Sequence, residues 1–381
     1  MTTAFNVVVA RTLVSAVVFD ALVPLSPFIA QDMGMTPAYF QRVLALCLTI
    51  FAVGQLISTP LINRIGASRS LATGSTLAAC SCIVAVLASN GLSLSIAFIS
   101  MFAANALATT ASRVWLRQHL GPTQFQTVTA YLYSGISTLA TLSPLILMLS
   151  ASVWGWRYTF GSLGVALLII SLALLSRPLH EPTSPSSSKA SGPLWKQPTF
   201  IRALLMGVLI QSSFTQLNLS KAFILDGVFL LPTATIGVIL STWATVIALA
   251  FFAAGKAVTR FTQTARLKAG VFAQGLGAIG MGVAWYQVDL TLYLLAAAAT
   301  SIAFCILLPL TTAWALGVVP SQQASASAIL GSTTVAAAGL TSWLAAQMHT
   351  TLLFTLMIVL GACALGSLLM RFVLPTPGNA P

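Results

Sequence analysis

Charge is what this chain has least of. Asp, Glu, Lys and Arg together make up 6% of its 381 residues, and only five residues are acidic. An ordinary soluble domain carries about 25%. With 57% of the residues hydrophobic, a soluble core of this length could not hide the apolar surface, whereas a bilayer can. Catalytic motifs are missing too. There is no H-E-x-x-H, no G-x-S-x-G and no Walker-type G-x-x-x-x-G-K-[ST], so metalloprotease, serine-hydrolase and direct ATP-driven chemistry have no carrier. The histidines His119, His180 and His349 lie far apart in sequence. Cys47, Cys80, Cys82, Cys305 and Cys363 sit in apolar stretches at no metal-like spacing and read as small buried hydrophobes. No metal, cofactor or catalytic residue is expected, and the chain does not read as an enzyme. The first apolar run carries Asp20 in its middle and no clear small-residue cleavage site, so a cleavable signal peptide is not expected.

Long apolar runs are what the chain does have. A membrane-spanning helix takes roughly 20 apolar residues, so about twelve would use about 240 and leave short loops. The runs predict spans at 8–30, 38–62, 70–89, 93–115, 126–150, 157–176, 200–224, 232–255, 268–287, 290–315, 323–347 and 350–371. Residues 177–199 are different: Glu181-Pro182-Thr183-Ser184-Pro185-Ser186 and the serines after it form a polar Pro/Ser-rich linker. The sequence thus predicts an all-α membrane protein with a six-helix bundle over 1–176, a linker, and a second six-helix bundle over 200–381.

A net charge of +12 would point to nucleic acid in a soluble protein. Here the basic residues fall between apolar runs and act as orientation signals, so no nucleic-acid partner is expected. With both termini on one side, that side's ends and loops carry Arg11, Arg64, Arg69, Arg113, Arg117, Arg177, Lys189, Lys196, Arg202, Lys256, Arg260, Arg266, Lys268 and Arg371, against Arg42, Arg157 and Lys221 opposite. Fourteen against three is a strong positive-inside bias, so both termini and the linker are expected to be cytoplasmic. A faint internal repeat fits two halves. Arg64 with Gly74 ten residues later maps onto Arg260 with Gly270 at an offset of 196, the layout of parallel six-helix repeats.

Asp20 lies nine residues past Arg11, roughly 13 Å along a helix axis and so near the midplane. A charged aspartate there costs about 2.5–3.5 kcal/mol, and such groups usually face the bundle interior and work there. A carboxyl so placed can take a proton from one side and release it to the other; the alternative is a structural hydrogen-bonding partner. Pro24 and Pro27 follow, which kinks the helix, an ordinary bend or a break beside a cavity. Gln55, Asn105, Gln211, Gln216, Asn218 and Gln274 lie within apolar spans, as cavity linings or as helix–helix hydrogen-bonding groups. By the repeat offset Gln216 answers to Asp20, leaving one titratable site rather than two. Lys221 either snorkels to the interface or faces the cavity and attracts an anionic group, and Arg42 poses the same question. Trp243, Trp285, Tyr286, Trp314 and Trp343 are core, belt or stacking residues.

These residues carry a resemblance. Asp20-Ala21-Leu22-Val23-Pro24-Leu25-Ser26-Pro27 resembles the D-x-x-x-P-x-x-P of the first helix of Bcr/CflA-like drug/proton antiporters of the major facilitator superfamily. Gly54-Gln55-Leu56-Ile57, Pro60-Leu61 and Arg64-Ile65-Gly66 are similar to that family's second helix and following loop. Arg113 and Arg117 look like the basic end of its fourth helix, and Gly155-Trp156-Arg157-Tyr158-Thr159-Phe160 like the opening of its sixth. The resemblance covers about residues 15–175. It implies a major facilitator fold, with Asp20 as the proton-coupling group and Gly54, Asn63, Arg64, Gly66, Arg113 and Pro144 at gating positions. It also implies residence in a bacterial inner membrane, action as a monomer, and the exchange of a small organic molecule for protons by alternating access. The chain departs from the family at Asn63, where an aspartate is usual, at Phe98, near the place of a fourth-helix arginine, and at Leu147 and Met148 after Ser143-Pro144, where glycines are usual. Those departures keep a second reading alongside proton-coupled export: an importer, or a dedicated exporter of a single metabolite such as a siderophore.

Overall fold

A computed structural model describes residues 2–35, 37–176, 194–318, 322–348 and 351–373. Most of the linker therefore lies outside the described residues. Among the described residues there are twelve α-helices: α1 Thr2–Asp32, α2 Pro37–Ile65, α3 Ala67–Leu87, α4 Gly91–His119, α5 Pro122–Trp154, α6 Trp156–Ser176, α7 Pro198–Gly227, α8 Thr233–Arg260, α9 Gln263–Gln287, α10 Leu290–Gly317, α11 Gln323–Gln347 and α12 Leu352–Val373. A short 3-10 turn, Leu194–Lys196, precedes α7. Among the described residues there is no strand. Among the described residues, ten helices hold a stretch long and apolar enough to cross a bilayer, and α1 adds the shorter apolar segment Phe5–Phe19. The protein is a multi-pass integral membrane protein. Leu87, Ile57, Ile169 and Ile279 are exposed large side chains on its helices, as lipid-facing surfaces require.

The helix ends follow local chemistry. Asn90 caps α4 by accepting from the Ser93 backbone N–H at 2.9 Å, and Asp289 caps α10 by accepting from Leu292 at 2.8 Å. Thr262 caps α9 with a bond from Ala265 at 3.2 Å. Each side-chain oxygen satisfies a first-turn N–H that has no partner within its own helix. Between α2 and α3 the chain turns at Gly66, whose φ of 88° is costly for any residue with a Cβ. Within the spans, hydroxyls bond back to the carbonyl four residues earlier, as at Ser58, Ser75, Thr110 and Thr311. Small polar residues thereby sit in apolar helices without stranding a donor.

The helices cluster into two compact units. Unit 1 comprises Met1–His119, Thr138–Ser186 and Ser327–Ser332; unit 2 comprises Leu120–Ser137, Ser187–Ala326 and Thr333–Pro381. In unit 1 an aromatic cluster joins α1, α2 and α4: Phe19 meets Phe51 and Phe102 edge-on at 5.0 and 4.4 Å. Phe98 is fully buried and lies 5.5 Å from Phe160 of α6. The residue standing near an expected arginine position is thus part of a dry aromatic core, which has no solvent for a cation. At the α1–α2 end of this unit, Asp32 pairs with Arg157 and accepts from the Trp156 indole at 2.9 Å. Arg157 also donates to the carbonyls of Val86 at 3.2 Å and Ala88 at 3.3 Å. One guanidinium so joins the ends of α1, α3 and α6, including carbonyls at the end of α3 that no helical N–H can reach.

Small residues let neighbouring helices approach. The repeat glycines take matching places: a Cβ at Gly74 of α3 would fall 2.8 Å from the Ala104 carbonyl of α4, and one at Gly270 of α9 would fall 2.4 Å from Leu307 of α10. Between α9 and α10 Gly277 is tighter still, with a Cβ 2.3 Å from Thr300 Oγ1 and 3.0 Å from the Ala296 carbonyl. Close backbone approach of this kind replaces the hydrophobic drive that lipid removes. Four cysteines are buried as expected, but Cys80 is exposed on α3. Its position in an apolar stretch gave its environment but not which way it points.

Gly277→Ala should therefore lower stability by about 1–3 kcal/mol through overpacking. Gly275→Ala, with nothing within 4 Å, should leave stability unchanged or raise it by up to about 1 kcal/mol. Thermal unfolding of the two purified variants in detergent checks this; equal midpoints would show that the α9–α10 contact is not close.

Candidate functional site

The polar side chains inside the spans gather into three groups, two in unit 1 and one in unit 2. The first sits where α1 and α4 cross. Arg11 is 1% exposed and donates from Nη2 to Asn105 Oδ1 at 2.8 Å. Ser15, one turn on, donates to the same oxygen. The Asn105 amide nitrogen is held by the Met101 carbonyl at 3.1 Å, which fixes which end of the amide faces the cation. Arg11 Nε has no hydrogen-bond partner among the described residues. Arg11 and Arg202, expected among the ends and loops of one side, both lie within helices and are buried. α1 begins at Thr2 rather than at 8, so Arg11 lies nine residues inside it. Arg202, four residues into α7, is fully buried with its guanidinium 5.5 Å from the Trp314 ring.

The second group joins α2, α4 and α11. Arg113 Nη1 lies 3.4 Å from Gln55 Oε1, a long contact, and Gln55 is 1% exposed. Gly331 of α11 packs on both: a Cβ there would fall 1.9 Å from Gln55 Oε1 and 2.8 Å from Arg113 Nη1. A hydrogen fits this place and a methyl group does not, so Gly331 was the member that sequence reasoning missed. Gly54 packs beside it, its would-be Cβ 2.9 Å from Ala106. Asn63 and Arg64 are exposed at the end of α2, so these loop positions do not join the Gln55–Arg113 contact.

The third group runs along α7 in unit 2. Gln211 donates to Thr215 Oγ1 at 3.1 Å. Gln216 is buried, and its Oε1 has no partner among the described residues. Lys221 Nζ donates to Asn218 Oδ1 at 2.7 Å and stands 5.8 Å from the centre of the Trp243 ring of α8. Gln274 of α9 donates to Ser213 at 3.1 Å. Elsewhere in unit 2, Arg266 donates to Gln126 at 2.7 Å, and Trp314 donates to Gln263 at 2.9 Å. Trp285 lies against Phe354 and Tyr286 is exposed.

Asp20 lies on α1, eighteen residues from its start and twelve from its end. Its side chain, with those of Pro24, Pro27, Arg42, Pro144 and Trp343, lies outside the described residues. No group of three or more His, Cys, Asp or Glu suited to a metal occurs among the described residues.

Comparison with known proteins gives these groups a setting. The family model described as Major Facilitator Superfamily matches residues 9–340. Among solved structures, the proton:xylose symporter XylE bound to 6-bromo-6-deoxy-D-glucose aligns with a TM-score of 0.76 at 15% identity, over 98% of this chain and 96% of that one. FucP in the outward conformation aligns at 0.70 and 12% identity, over 96% and 98%. The human organic anion transporter MFSD10 aligns at 0.71 and 16% identity, over 96% and 97%. At such identities the likeness is one of fold. No curated protein matches the chain in sequence.

If Asn105 holds the Arg11 charge, Asn105→Leu should destabilise the protein by about 1.5–3 kcal/mol, the usual loss for a hydrogen bond to a charged group. The double variant Arg11→Met/Asn105→Leu should recover most of it, because the stranded cation is gone. A double-mutant cycle on thermal unfolding in detergent measures the coupling, and strict additivity would show that the contact carries no energy.

Proposed function

The chain belongs to the Major Facilitator Superfamily, whose members are transporters, and from that premise we propose that it moves a small organic molecule out of the cell in exchange for protons. The observation that carries this reading is the position of Asp20. Of the five acidic residues, Asp32 and Asp226 lie within two residues of a helix end, Asp289 caps α10, and Glu181 is in the linker. Asp20 alone is more than two turns from either end of its helix. It is then the one carboxyl deep in the bilayer, where an ionisable group is a functional candidate by default. In this reading Asp20 takes a proton from the outside and releases it inside while the two halves alternate their opening. Gln216 and Gln211 of α7, with Gln55 in the other half, offer uncharged hydrogen-bonding groups to the substrate, whereas Asn105 is already taken up by Arg11, Ser15 and the Met101 carbonyl. The protein works as a monomer in the bacterial inner membrane, with both termini and the linker cytoplasmic.

A second reading is import, or export of a single metabolite without proton antiport. It is favoured by Asn63, which is exposed and neutral where the resembling family carries a carboxylate. With no charge at that position, Arg113 has only the neutral Gln55 contact among the bonds described for it.

Two experiments test the proposal. In an efflux-deficient bacterium, the wild type should lower the accumulation of some compounds of a toxic panel. Asp20→Asn should reach the membrane in equal amount and lose that effect. An Asp20→Asn protein exporting uphill with unchanged pH dependence would remove Asp20 from the coupling. For orientation, a cysteine placed in the 177–193 segment should resist an impermeant thiol reagent in intact cells and react once the membrane is opened. Rapid labelling of intact cells would invert the topology.

A further inference from the structure

Lys221, Asn218 and Trp243 form a cluster with donors to spare and, among the described side chains, no carboxylate bonded to them. Lys221 is half-buried on α7, and the ammonium offers three donors, of which one is used on Asn218 Oδ1 at 2.7 Å. Asn218 is turned so that its oxygen must face the lysine, because its Nδ2 is occupied by the Phe214 carbonyl at 2.8 Å. Trp243 is 8% exposed, and its indole N–H has no hydrogen-bond partner among the described residues. A buried donor left unmatched is unfavourable, and such groups in native proteins usually have a missing partner. The single ion pair among the described residues is Asp32–Arg157 in unit 1, so no described carboxylate neutralises Lys221. Asp226 is five residues further along α7, and its side chain, like that of Asp20, lies outside the described residues.

Snorkelling does not account for the lysine. Six residues separate Lys221 from the end of α7 at Gly227, and a snorkelling ammonium would reach toward that end. Instead it is bound three residues back, at Asn218, and lies over an aromatic ring. The same helical stripe continues inward. Phe214, Asn218 and Lys221 are spaced by four and three residues, and Phe214 stacks face to face on Phe304 of α10 at 3.8 Å. An apolar aromatic platform thus leads to an amide, a cation and an indole donor.

We infer that this face of unit 2 receives the anionic end of the substrate, and that the substrate is an organic acid with an apolar body whose carboxylate is bound by Lys221 and Trp243. Asn218 positions the ammonium, and Phe214 with Phe304 flanks the apolar part. The inference rests on the transporter reading and narrows its substrate class. An amide partner leaves the lysine charge whole, so a carboxylate gains a charge-assisted bond that its neutral amide analogue cannot make.

The test uses the full-length purified protein with benzoate, 1-naphthoate and indole-3-acetate, each beside its primary amide and its amine counterpart. Equilibrium binding is measured in detergent and uptake in proteoliposomes. The acids are expected to bind at least tenfold more tightly than their amides and amines. Lys221→Gln should abolish that preference, Lys221→Arg should retain most of it, and Trp243→Phe should weaken acid binding several-fold. Variants are compared only where size-exclusion profiles match the wild type, and retention by Lys221→Arg shows that the site survives substitution. Preference for amides or amines, acid preference that persists in Lys221→Gln, or no binding of any acid by the folded wild type would each overturn the assignment. Acid binding without movement in proteoliposomes would leave the anion site standing and remove the transporter reading; movement of neutral or cationic members, unaffected by Lys221→Gln, would do the reverse.

Discussion

One constraint runs through this structure: inside a bilayer a polar group has no water to turn to, so a partner has to come from the protein itself. The backbone meets it by becoming helix almost throughout. Ser58, Ser75, Thr110 and Thr311, among others, meet it by bonding one turn back along their own helix. The cations are the hardest case, because seventeen lysines and arginines are set against five acids, and carboxylates are too few to pair with them. The solution is repeated across the fold. Arg11 is held by Asn105, Arg266 by Gln126, and Lys221 by Asn218, while Arg202 lies over Trp314. Amides and indole rings do here what aspartates do elsewhere.

That solution depends on close packing. For Arg11 with Asn105 and Arg266 with Gln126, two helices must bring amide and cation within hydrogen-bonding reach and keep them there, since a contact stretched beyond that distance is lost steeply. Glycine and alanine along α3–α4 and α9–α10 supply the approach, and the guanidinium of Arg157 ties three helix ends at one face of unit 1. Gly331 shows the tolerance of the arrangement: beside the Gln55–Arg113 contact there is room for a hydrogen and not for a methyl group.

The architecture was open to the sequence because hydropathy reports on one variable, the length of an apolar run, and the bilayer fixes that length. All twelve expected spans correspond to helices, with ends shifted by several residues. The same variable is blind to direction. Reading the first span from 8 placed Arg11 near its edge, and the structure carries α1 back to Thr2 and turns the guanidinium inward. Its partner Asn105 is 94 residues away in sequence, a pairing that no local pattern encodes. Cys80 points out of its helix while Cys82, two residues on, points in. Gly331 could be found only from its neighbours, because a glycine in an apolar helix signals nothing until one sees what its missing side chain makes room for. Asn218 and Lys221 could be paired from spacing alone, being three apart on one helix; the indole that completes the cluster comes from α8.

An amide differs from a carboxylate in one further respect. It has no proton to gain or lose across the range of acidity that living cells meet. The contacts that hold Arg11, Arg266 and Lys221 therefore have an acceptor whose charge is the same in an acid medium as in a neutral one. A scaffold braced by carboxylates would loosen as its surroundings acidify, each brace failing as it protonated. These amide contacts are indifferent to acid, so Arg11 stays tied to α4 and Arg266 to α5 when the medium around them acidifies.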